Sequence, residues 1–277
     1  MNTKRLAVIL IAVAFVLIVM FSGIAIFAVK KIDVEFAVAD DTDVSDVKNE
    51  LEKYLGKNLM FLKTEDVFEA LSDFHYMQVL SVEKSFPNVL KVSVEERREI
   101  YYLEHADKVY VTTAEGFVLK VLDANEFGGN TERDKITLKI SQINLADDKE
   151  SDVELSGNQV GSIVEIKDDA FLSTVFEMAK SVKLTDCIKE LKVQKTVNGS
   201  VVAARDILIT TYTGVKIRLF DADNNGLEKI ERAFVEYDNS STDYKKTFNY
   251  ILTYESNGQI VVEWSPVDNS PLDSTNG

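Results

Sequence analysis

Lys84-Ser85-Phe86-Pro87-Asn88-Val89-Leu90-Lys91-Val92-Ser93-Val94-Glu95-Glu96-Arg97 decides how the soluble part of this chain begins to fold. Leu90, Val92 and Val94 alternate with Lys91, Ser93 and Glu95, the period of a half-buried strand. Pro87-Asn88 supplies a turn, so Met77 to Phe86 becomes the partner strand of a hairpin. Upstream the period changes to that of helices. Asp43 is placed to cap a helix with Val44, Val47, Leu51 and Leu55 on one face, and Gly56 is its stop. Thr64 is placed to cap a second helix, with Glu65 and Asp66 in its first turn and Val67, Leu71 and Phe74 inward. Before both, Ile32, Val34, Phe36 and Val38 alternate with Asp33, Glu35 and Ala37, a further strand. The order β-α-α-β-β over residues 30–99 predicts a compact α+β module with two helices on one face of a three-stranded sheet.

Residues 6–29 hold no charge, and Ser22 and Gly23 are the breaks in an otherwise apolar run. At about 1.5 Å per residue this exceeds a hydrocarbon core of about 30 Å, which predicts a transmembrane helix. Lys4-Arg5 and Lys30-Lys31 bound it and can reach the two interfaces. The rival reading is a cleaved signal peptide, whose apolar region is usually about 7–15 residues. Residues 1–5 are then a short cytoplasmic tail and the bulk lies outside the cell membrane, a single-pass type II arrangement.

All 46 acidic residues of the 277-residue chain lie from Asp33 onward, and the formal net charge is −15. So acidic a surface repels phosphate backbones, and nucleic acid is not expected as a partner. Cys187 is the single cysteine, which leaves no internal disulfide to form; it reads as a small buried hydrophobe.

Residues 100–265 read as a larger β-rich domain with two helices. Lys108–Thr113, Phe117–Val121, Ile136–Ile140 and Val160–Ile166 are its early strands, with an exposed loop at Gly128-Gly129-Asn130. Asp168-Asp169 opens a helix through Lys183, with Phe171, Val175, Met178 and Val182 inward. Strands follow at Ile188–Val193, Ser200–Ala204, Ile207–Tyr212 and Val215–Phe220, and Leu227, Ile230, Phe234 and Tyr237 mark the second helix. Asn198-Gly199 and Thr213-Gly214 are turns. Phe248, Tyr250, Leu252 and Tyr254 alternate on one strand, Asn257-Gly258 makes a two-residue hairpin turn, and Ile260, Val262 and Trp264 alternate on the return. Residues 266–277 form a polar tail expected to be disordered.

The chain resembles the FtsQ/DivIB family of bacterial cell-division proteins. The resemblance rests first on Gly56-Lys57-Asn58-Leu59 and on the hairpin quoted above, which together look like a POTRA domain of the FtsQ type. It continues through Val109-Tyr110-Val111, Glu115-Gly116 and Phe117-Val118-Leu119. It ends with Tyr250-Ile251-Leu252-Thr253-Tyr254, Asn257-Gly258 and Val262-Glu263-Trp264-Ser265-Pro266. A glycine usual in the family after the first strand is replaced by Val38-Ala39-Asp40. The resemblance implies a non-enzymatic scaffold at the division septum that binds FtsB/DivIC-like and FtsL-like single-pass proteins and regulates septal peptidoglycan synthesis.

If the last strand lies at a sheet edge, its unpaired N–H and C=O groups can accept a partner strand. Tyr250, Leu252, Tyr254, Ile260, Val262 and Trp264 are the expected partner-binding residues. No cofactor, metal or small-molecule substrate is expected. His75 and His105 lack metal-ligand spacing, and no nucleophile elbow, P-loop or dinucleotide fingerprint occurs. Asp221-Ala222-Asp223-Asn224-Asn225-Gly226 matches the first half of a calcium loop, but Arg232 stands where its bidentate glutamate belongs. The alternative is a membrane-anchored extracytoplasmic cell-wall enzyme or transport component.

Overall fold

The computed structural model describes Val13 and residues 26–37, 44–181 and 187–268. Most of the predicted transmembrane helix 6–29, residues 38–43 with Val38 and the Asp43 cap, residues 182–186 with Val182, and residues 269–277 of the tail lie outside the described residues. Among those described, no helix is long and apolar enough to cross a membrane. The chain divides into two compact units, Met1–Arg97 and Arg98–Gly277.

The first unit has the predicted order: β1 (Lys31–Phe36), α1 (Val44–Glu52), α2 (Thr64–Ala70), β2 (Met77–Ser85) and β3 (Val89–Glu96). β3 lies between the others, parallel to β1 and antiparallel to β2. Its alternation places Leu90, Val92 and Val94 against Val47, Leu51, Leu59, Val67 and Leu71 in one core. Two local readings change. α1 ends at Glu52, and the next turns close through Tyr54 N–H to Leu51 O and Leu55 N–H to Glu52 O. Such i→i+3 bonds wind the chain more tightly than an α-helix. Tyr54 is therefore buried and Leu55 is 46% exposed, the reverse of the α-helical expectation. Thr64 is the first helical residue, because extended Lys63 occupies the cap position. Arg97, at the end of the quoted hairpin, donates to the carbonyls of His75 and Met77 and ties down the start of β2.

The second unit is one large mixed sheet. Its strands are β4 (Tyr101–His105), β5 (Lys108–Thr112), β6 (Val118–Asp123), β7 (Ile136–Asn144), β8 (Lys149–Ser151), β11 (Ile188–Asn198), β12 (Val201–Thr211), β13 (Lys216–Leu219), β14 (Tyr250–Ser256) and β15 (Gln259–Ser265). The spatial order is β15-β14-β13-β12-β11-β7-β4-β5-β6, with β8 beside the end of β7. A small pair, β9 (Leu155–Ser156) and β10 (Glu165–Ile166), stands apart. β7 and β11 run parallel, as do β13 and β14, so each pair needs a crossover. The crossovers supply α4 (Phe171–Ser181) and α5 (Gly226–Asn239). Both bury their apolar stripes on the sheet face carrying Leu103, Leu138, Leu191, Ile209, Ile217 and Ile251. Two short helices, α3 (Ala124–Phe127) and α6 (Thr242–Thr247), add to the two that sequence predicts.

Three readings are corrected here. Tyr101–His105 is a strand that alternation misses, because Tyr101, Tyr102 and Leu103 are all buried and the strand is covered on both faces. Val160–Ile166 is mostly turn, with Gly161 at φ 87°, a single bridge from Ile163 to Phe117 and a strand only at Glu165–Ile166. Leu227, one of the apolar residues that mark the second helix, is exposed; Lys229 is buried in the same helix.

Candidate partner interface along the last strand

β14 and β15 form a hairpin closed by Asn257 (φ 53°) and Gly258 (φ 74°), both in the left-handed region that a type I′ turn requires. The pairing runs without a shift from Ser256 opposite Gln259 to Tyr250 opposite Ser265. In a two-residue hairpin the closing pair is hydrogen-bonded, and the pairs alternate from there. Tyr254 with Val261, Leu252 with Glu263 and Tyr250 with Ser265 therefore exchange backbone bonds. Ile260, Val262 and Trp264 fall at the intervening positions, so their N–H and C=O groups point away from β14. On that side, among the described residues, no strand is present. A side chain reaches one of these groups: Arg232 donates to the Ile260 carbonyl at 3.3 Å.

The register separates the six predicted residues into two sets. Ile260, Val262 and Trp264 share a face with Ile251 and Thr253, toward α5. Val262 and Trp264 are half-buried against the main core. The Trp264 indole N–H donates to the Glu236 carboxylate on α5 at 3.0 Å, and its ring meets Tyr244 of α6 edge-on at 5.3 Å. Ser241 caps α6 by accepting from the Tyr244 N–H, which places that ring. Tyr250, Leu252 and Tyr254 lie on the opposite face. Leu252 is buried there in register with Arg218, and the Lys216 ammonium sits 5.5 Å from the Tyr250 ring centre. Burial, then the Glu263 carboxylate, push the Tyr254 phenol above its ordinary pKa.

Glu236, Tyr244 and Arg232 surround the strand and escaped sequence reasoning. Ser241, three residues before Tyr244, was the cap signal that could have located α6.

The calcium-like loop has a different occupant. Lys229 is 1% exposed, and its Nζ donates to the carbonyls of Phe220 at 2.9 Å and Asp221 at 2.8 Å. Burial pulls its pKa below the ordinary lysine value, with Asp221 the first of the carboxylates opposing that shift. Asp223 pairs with Arg205, and Asp221 accepts from the Asn224 amide. One oxygen of each carboxylate is thus paired with a protein cation or amide. His105 Nε2 lies 2.6 Å from the Val153 carbonyl, a structural contact.

The β-α-α-β-β order of the first unit defines it as a POTRA-type module. Comparison with known families makes this specific: residues 27–97 match the POTRA domain, FtsQ-type. The match is consistent with the FtsQ/DivIB family and suggests a membrane division protein of that kind, a class that is generally non-enzymatic. No curated protein matches the chain.

Proposed function

We propose that this protein is a non-enzymatic scaffold of the division machinery, of the FtsQ/DivIB type, that takes up a strand from an FtsB/DivIC-like partner along β15. An FtsL-like protein completes the assembly, which regulates septal peptidoglycan synthesis. Residues 6–29 anchor the chain in the bilayer at the septum, with residues 1–5 cytoplasmic and the bulk outside. The observation that carries the reading is the row of outward backbone groups at Ile260, Val262 and Trp264 on a strand with one neighbour. Such an edge accepts a partner strand through main-chain bonds, and its side chains set specificity. Trp264, half-buried and braced by Glu236 and Tyr244, can anchor a partner side chain next to the added strand.

The test is calorimetric titration of the full-length chain in nanodiscs with the extracytoplasmic segments of division partners. Val262→Pro removes one outward N–H and leaves the ladder to β14 intact. Affinity should fall by about tenfold or more, equivalent to about 1.4 kcal/mol. Val262→Ala, which keeps the N–H, should bind nearly as wild type. Binding unchanged by proline would move the site off β15. No binding by folded wild type would remove the scaffold reading itself.

A further inference from the structure

The last residues of the apolar run are built into the first module. Leu59 N–H donates to Phe27 O at 2.7 Å, Val29 N–H to Lys57 O at 2.8 Å and Gly56 N–H to Val29 O at 2.9 Å, and Ala28 bridges Asn58 antiparallel. On another side, Lys30 N–H donates to Asn88 O at 2.9 Å, and the Phe27 ring meets Phe86 edge-on at 5.9 Å. Two turns, at residues 56–62 and 86–88, therefore flank the point where the chain comes out of its apolar run. Beside Phe27 the chain turns sharply, with the Phe61 and Leu62 N–H groups donating to Asn58 O, which buries Leu62 and leaves Phe61 outside.

These turns hold their apolar side chains outward. Phe61 is 80% exposed, Phe86 57%, Met60 54% and Ile26 52%. Single exposed apolar residues need no explanation; several beside one end of a membrane-length run do. The charge agrees. Residues 26–30, 56–63 and 84–88 contain Lys30, Lys57, Lys63 and Lys84 and no carboxylate, in a chain of net charge −15. Exposed aromatic and aliphatic side chains in segments whose charges are all lysine suit a bilayer interface, where rings enter the acyl boundary and ammonium groups meet lipid phosphates.

We propose that the turns at 56–62 and 86–88 dip into the headgroup region of the bilayer in which the chain is anchored, with Phe61 as the principal wedge. The first module is then held against the membrane at contacts beyond the anchor itself. This rests on the anchored reading given above.

The experiment places one full-length chain in each nanodisc, so no second copy can cover the patch, and introduces Phe61→Trp. The wild-type signal of Trp264 is subtracted. In discs of acyl-brominated lipid the added tryptophan should lose about half or more of its emission, as a side chain seated about 5–10 Å into the interface would. Phe86→Trp should show the same effect at the second turn. Emission insensitive to bromination at both positions overturns the proposal; a blue shift that then appears with two copies per disc would assign the patch to a second copy. An alkaline wash of vesicles carrying the full chain tests the anchor separately. Chain retained with unquenched tryptophans rejects the wedge alone, whereas chain washed off rejects both.

Discussion

The large sheet has two edges, and they are finished differently. β6 is shielded at its start: Val118 N–H donates to Ser162 O at 2.8 Å, and its carbonyl accepts from Gly161 N–H at 2.9 Å. Phe117 bridges Ile163. The β5–β6 register shifts between Val111 and Thr112, Lys120 is exposed on the strand, and α3 follows at Ala124. Covering, a bulge, a lysine and an abrupt end are the usual ways of making an edge unattractive to other strands. β15 has a regular register over seven residues and no covering strand among the described residues. Within one sheet, one edge is covered at its start and interrupted by a bulge, and the other is regular and has no strand beside it among the described residues. The difference, more than the apolar character of either strand, is what the proposed interface rests on.

The largest expected effect is at the closed edge. A Cβ on Gly157, itself at φ 62°, would lie 1.8 Å from the Ile163 carbonyl in the segment that covers β6. Gly157→Ala should therefore cost at least about 3 kcal/mol in denaturant unfolding, since backbone cannot yield as a flexible side chain does. It should also promote self-association by light scattering, while partner binding at β15 survives in the folded fraction. Unchanged stability with no gain in self-association would break the contrast.

Val261→Pro sharpens the same contrast within β15. Val261 bonds inward to Tyr254, so proline there should lower stability by about 2–3 kcal/mol. Proline one residue later should leave the melting temperature much closer to wild type and act on binding. Equal destabilisation by the two would mean that the alternation has been assigned the wrong way round. A smaller effect, about 1 kcal/mol, is expected from Trp264→Phe, which removes the 3.0 Å bond to Glu236 and keeps most of the ring packing.

Much of this architecture was legible in the sequence. The 84–97 hairpin, the α4 and α5 stripes and the Asn257-Gly258 turn each carry a local period or a φ requirement that few alternatives satisfy. Tyr101–His105 was not legible, because a strand buried on both faces has no alternation to read. The six residues proposed for the interface were legible as apolar strand positions. Their division between two faces, and which backbone groups point away from β14, follow from the two-residue Asn257-Gly258 register; which face meets α5 depends on partners distant in sequence. The edge position of β15 also depends on β13 and β14 joining in parallel across α5 and α6, which no local pattern announces.

The central claim is that alternate residues of β15 offer outward main-chain groups to a partner strand. Residue-resolved amide hydrogen exchange, with and without saturating FtsB/DivIC-like partner, tests it most directly. The account predicts that the amides of Ile260, Val262 and Trp264 slow by about tenfold or more on binding, while those of Val261 and Glu263, already bonded to β14, change little. Saturated binding with no slowing at these three amides, or with equal slowing at all five, would contradict it.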